Sequence, residues 1–119
     1  MDIVAKDLGN FTNVRTFTDG SERSFEILRT SSMGIGTYKP GWKWSVHAGT
    51  QTGKAAENHI GYIISGSFIV KGVRGEEQRV GPGHAFELSP GHDAWVYGNE
   101  PCIALDFRCN QQHDCNNHE

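Results

Sequence analysis

The sequence has no excess of positive charge: eleven Lys and Arg stand against fourteen Asp and Glu, a formal charge of −3. Nucleic acids and anionic membrane surfaces are met by basic patches, so neither is expected as a partner. Long hydrophobic runs are missing too, and no stretch approaches the ~18 apolar residues of a membrane-spanning helix. The start, MDIVAKDLGN, has neither the basic nor the apolar region of a secretory signal, and a cytoplasmic location is expected. Cysteine is scarce: Cys102, Cys109 and Cys115 cannot close a disulfide framework without leaving one over, which points to free thiols. Cys102, in the apolar run CIALDF, reads as a buried small hydrophobe. No apolar period of 3.6 residues is sustained anywhere, which sets helical folds aside. The serine-nucleophile elbow G-x-S-x-G, the phosphate loop G-x-x-x-x-G-K-S/T and the zinc motif H-E-x-x-H do not occur.

What is present is punctuation. Fifteen glycines and four prolines divide 119 residues into short segments rich in β-branched and aromatic side chains. Strands are predicted over 25–30, 33–38, 42–47, 61–64, 67–70, 78–80, 85–88, 94–97 and 102–108, separated by KPG, SGS, VRGEE, GPG, SPG and GNEP. Many short strands with such connections predict a sandwich or a closed barrel, since closure removes exposed edges. Residues 1–24 read as an N-terminal arm with one short edge strand, 25–108 as the barrel and 109–119 as a disordered polar tail. Residues 48–58, AGTQTGKAAEN, form a long polar loop of the kind that acts as a lid.

Six histidines are the candidates for chemistry. Strand alternation over WKWSVH places Trp42, Trp44 and Val46 on one face and Lys43, Ser45 and His47 on the other. His59 opens HIGYIISG and shares a face with Gly61 and Ile63, while His92 follows the turn SPG. Neutral imidazoles brought together from separate strands suit a divalent transition metal with an open position. His84 reads as a surface turn residue. His113 and His118, with Cys109 and Cys115, match no standard zinc spacing.

The stretches 41–66 and 83–95 resemble the two motifs of the cupin superfamily. Gly41 and His47 fit the glycine and first histidine of the first motif, His59 stands where the family has glutamate, and Gly66 fits the closing glycine. Gly49 replaces the second histidine. In GPGHAFELSPGHDAW, His84 takes the place of an aspartate, Ser89 that of a proline and Ala94 that of the motif histidine, with His92 two residues earlier. PGWKWSVH, HIGYIISG and PGHDAWVYGNEP further resemble a subgroup of small stand-alone cupins.

That resemblance implies an all-β, single-domain cupin β-barrel (a double-stranded β-helix, or jelly roll) that dimerises through an edge strand or its N-terminal arm. It leaves His47, His59 and His92 as the metal-ligand set for one divalent ion: zinc, iron, manganese, nickel or copper. Glu57, two residues before His59, is the candidate fourth ligand or general acid–base, and Tyr62 and Trp95 are candidates for the substrate pocket. The function implied is a metal-binding cupin that acts on a small organic molecule, as an oxygenase or isomerase. The altered motif positions favour the alternative, a non-catalytic small-molecule-binding or sensor module.

Overall fold

Alternating apolar and polar residues, broken every few positions by Gly or Pro, fold into nine strands among the described residues. The computed structural model describes residues 2–10, 13–49 and 59–109. The strands are β1 (Val14–Thr16), β2 (Glu22–Ile27), β3 (Ser31–Tyr38), β4 (His59–Ser65), β5 (Phe68–Lys71), β6 (Glu77–Val80), β7 (Ala85–Leu88), β8 (Asp93–Val96) and β9 (Cys102–Cys109). They form a six-stranded sheet in the order β1-β2-β3-β9-β4-β7 and a three-stranded sheet in the order β6-β5-β8. Every pairing is antiparallel. The last strand lies between β3 and β4, the long-range return that defines a jelly roll. Among the described residues the two sheets are not joined into a closed barrel, so of the two forms expected, sandwich or closed barrel, the chain takes the sandwich, with the jelly-roll topology.

The core fills the space between the sheets. Phe17, Tyr38, Trp42 and Phe68 form one aromatic cluster, with ring centroids 4.5 Å apart for Tyr38–Trp42 and 5.3 Å for Tyr38–Phe68. Ala48, Ile63, Val70, Val80, Leu88, Ala94, Val96, Cys102 and Ala104 complete it. Cys102 is buried and reduced, as its apolar run implies. On the outside, the arm crosses β2: Ser24 Oγ donates to the Leu8 carbonyl at 2.5 Å and Asn13 Nδ2 to Glu26 Oε1 at 3.2 Å, which explains why these polar strand residues are buried. No described helix is long and apolar enough to cross a membrane.

One strand assignment fails. The segment 42–47 pairs only through its first two residues, Trp42 and Lys43, which lie beside β8. It then coils into a single π-helical turn, Trp44–Ala48. Amides of Val46 and His47 both donate to the Lys43 carbonyl, at 3.1 and 2.8 Å. Asp93 fixes the start of the turn, accepting from the Ser45 amide at 3.1 Å and from Ser45 Oγ at 2.7 Å. Alternation therefore stops at Lys43, and Val46 faces solvent instead of sharing the face of Trp42.

Candidate functional site

The inner face of the large sheet and the turn 44–48 enclose a cavity of about 110 Å³. Alternation decides what reaches it. On β9, Ala104, Asp106 and Arg108 take the inward positions; on β2 it is Arg23, and on β8 it is Ala94. Phe17, Trp42, Trp44, Phe68, Phe86 and Leu88 supply an apolar lining, and Arg15 enters from β1. His92 stands in this wall and also borders a more open hollow of about 520 Å³ rimmed by Glu76, Glu77 and Glu87.

The polar groups of the cavity are sharply placed. Arg23 donates from Nε to Asp106 Oδ2 at 2.9 Å and from Nη2 to Oδ1 at 2.6 Å, a two-point ion pair. Burial works against the Arg23 charge. Hydrogen bonding and attraction from Asp106 outweigh it and hold the guanidinium above its ordinary pKa. Arg15 Nη2 donates to the Ala48 carbonyl at 3.3 Å, and its Cζ lies 4.7 Å from the Phe17 ring centre. Burial, and then the positive charges of Arg23 and Arg108, lower its pKa. Trp42 Nε1 is buried and has no hydrogen-bond partner among the described residues.

The histidines divide. His92 is 4% exposed, and its Nδ1–H donates to the Ser89 carbonyl at 2.7 Å. That bond makes Nε2 the lone-pair nitrogen, the tautomer a metal-ligating imidazole needs. Burial lowers its pKa, against the opposing pull of Ser89 and Asp93. His47 does the reverse: its Nδ1 accepts from the Lys43 amide at 2.9 Å, so in the neutral ring Nε2 carries the proton. As placed, His47 does not fit the ligand role. His59 pairs with Leu88 across β4 and β7; its side chain lies outside the described residues. Among the described residues, no three His, Cys, Asp or Glu side chains gather as a metal cage.

Other expectations move or fall outside the described residues. Tyr62 is 44% exposed on the outer face of β4, because the alternation that turns Gly61 and Ile63 inward turns it outward. Trp95 stands on the side of β8 opposite Ala94, with Lys43 Nζ 5.0 Å from its ring centre. Neither lines the cavity. Ala94, at the motif-histidine position, does. Gly49, at the other vacant ligand position, lies against Trp44: a Cβ there would meet Trp44 Cζ3 at 2.6 Å, so a histidine would require that ring to move. His84 is an exposed turn residue whose Nδ1 accepts from the Gly81 amide at 2.7 Å. Glu57, residues 50–58 of the long loop, His113, Cys115 and His118 lie outside the described residues.

The arginines, Asp106 and Trp42 carry the polar character of the cavity, and they escape a search built on histidine motifs. One signal was present: a carboxylate inside the apolar run CIALDF is costly to bury unless a cation meets it.

No family model matches the chain, and no curated protein does. Solved structures resemble it strongly in shape. KdgF from Halomonas sp. aligns over 95% of this chain and 99% of its own, with a TM-score of 0.67 at 17% identity. An RmlC-like cupin from Shewanella frigidimarina aligns over 92% and 93%, with a TM-score of 0.63 at 16% identity. A sugar phosphate isomerase of the cupin superfamily from Silicibacter pomeroyi aligns over 91% and 76%, with a TM-score of 0.67 at 15% identity. The chain has the cupin fold.

Proposed function

We propose that this chain binds one small organic molecule in the cavity between its sheets. The observation that carries the reading is Trp42 Nε1, a buried donor without an acceptor among the described residues, in the wall of that cavity. A buried polar group left unpaired costs about 1–3 kcal/mol, and a ligand acceptor atom offsets that cost. The fold is used by proteins with different chemistries, so it supports a binding cavity without naming a reaction. Titration with a panel of small acids, alcohols and sugars, read by tryptophan fluorescence and melting temperature, tests the proposal. The expected result is saturable binding by at least one member, weakened in W42F. A panel that leaves both signals unchanged counts against it.

A second reading keeps a divalent transition-metal ion on His92 and His59. It is favoured by the His92 tautomer and by the pairing of His59 with Leu88, a residue of the cavity wall, across β4 and β7. When bound, such an ion supplies a Lewis acid or an open position for dioxygen, the chemistry of an isomerase or oxygenase. His47 joins it only by releasing the Lys43 amide. Elemental analysis of protein purified without nickel resin decides: stoichiometric metal that is lost in H92A supports this reading. Metal-free protein that no divalent ion stabilises sinks it.

We further propose a homodimer, supported by Tyr62, Ile64 and Phe107, exposed apolar side chains on neighbouring strands β4 and β9. Sedimentation that returns only monomer at micromolar concentration rejects it.

A further inference from the structure

The cavity wall holds three guanidinium groups, Arg15, Arg23 and Arg108, and one carboxylate, Asp106. Asp106 commits both oxygens to Arg23. Arg108 is exposed at the rim, where water screens it. Arg15 is left: among the described residues it meets no carboxylate, only the long contact to the Ala48 carbonyl and the face of Phe17. A guanidinium partly withdrawn from water beside two like charges calls for an anion. In the same wall, the Trp42 indole N–H has no acceptor among the described residues.

Resting on the reading of this cavity as a small-molecule site, we propose that its ligand is a small carboxylic acid, bound as the carboxylate with Arg15 as counter-ion and Trp42 Nε1 as second donor. The charge count selects the class. Arg23 is already neutralised, so one positive charge remains inside the wall, and a monoanion matches it. A neutral sugar leaves Arg15 uncompensated, and a phosphate dianion brings a second charge that only the solvated Arg108 meets. The planar carboxylate also suits the fork of a guanidinium. Phe17, Phe68, Leu88 and Ala94 suit the hydrocarbon part of such an acid. The volume of about 110 Å³ restricts it to a short chain or single ring.

Calorimetric titration of the full chain at low ionic strength tests the class. Butyrate and benzoate are set against 1-butanol and benzyl alcohol, their neutral counterparts, and against inorganic phosphate. The expected result is binding of at least one acid about tenfold or more tighter than its alcohol, an affinity that weakens as salt is added. R15Q should lower acid affinity about tenfold and leave alcohol affinity unchanged, whereas R79Q, outside the cavity, changes neither. If R15Q does not fold, W42F serves instead, since it keeps most of the ring volume and removes only the indole donor. Alcohols that bind as tightly as the acids overturn the carboxylate assignment and leave the cavity standing as a binding site. Phosphate bound in preference to both acids replaces the carboxylate with a different oxyanion. No binding by any probe overturns both this assignment and the binding function.

Discussion

Arg23 and Asp106 form their two-point ion pair across an intervening strand. Arg23 is on β2, Asp106 is on β9, and β3 runs between them. The side chain passes over Gly34, which pairs with Asp106 on one side and with Phe25 on the other. A Cβ on Gly34 would sit 2.6 Å from Arg23 Cζ, so the missing side chain is the corridor through which the guanidinium reaches its partner. The side chains of Arg23 and Asp106 are 13% and 12% exposed, and little water screens them.

Removing one partner leaves the other charged and buried. D106L should destabilise the protein by about 3–5 kcal/mol in denaturant unfolding, and the double variant R23M/D106L should recover much of that loss. A double variant as unstable as the single one contradicts the argument that an uncompensated charge sets the cost.

Blocking the corridor should act through the same pair. G34A is expected to destabilise the wild-type background more than the R23M background, giving a coupling energy of about 0.5–3 kcal/mol in a double-mutant cycle. Equal costs in the two backgrounds would show that Arg23 does not use the space above Gly34.

The turn 44–48 depends on Asp93, which holds both the amide and the hydroxyl of Ser45. D93A should cost about 1–2 kcal/mol, as loss of a helix-capping residue does. Amide hydrogen exchange at Ser45 and His47 should accelerate while the β9 amides stay protected. Uniform acceleration along the chain would assign Asp93 a global role instead.

Alkaline pH should unfold the protein through Cys102 and Tyr38. Burial pushes the Cys102 thiol up to about 12, and burial, with Asp106 adding, raises the Tyr38 hydroxyl above its ordinary range. Both groups hold their protons more tightly folded than unfolded. The stability this provides is fully present below the unfolded values, about 8.5 for cysteine and 10 for tyrosine, and is lost as pH rises through the folded ones. Melting temperature should therefore fall progressively above about pH 8.5. In C102A the thiol contribution disappears and the onset moves toward the tyrosine range. An onset unmoved in both C102A and Y38F rules these groups out.

Much of the fold was legible because its causes are local. Strand β7 has the same bounds in sequence and structure, 85–88, since GPG and SPG punctuate it on both sides. Cys102 is buried where its run of apolar neighbours places it. Alternation along β4 put Gly61 and Ile63 on one face and, followed through, puts Tyr62, expected in the pocket, on the other. Turn chemistry pointed to a sandwich or barrel of short strands, and the resemblance of 41–66 and 83–95 to cupin motifs implied the jelly roll.

The sequence by itself determined which residues alternate, where the chain turns and which fold class that pattern can close into. The tertiary structure alone decided that WKWSVH coils after its second residue, because the aspartate that holds the coil lies 48 residues further along. It also decided that the polar character of the cavity comes chiefly from arginines, since Arg23 and Asp106 are neighbours only once β3 lies between their strands. Periodicity fixes the face a side chain takes; which partner waits on that face is settled when distant strands pair.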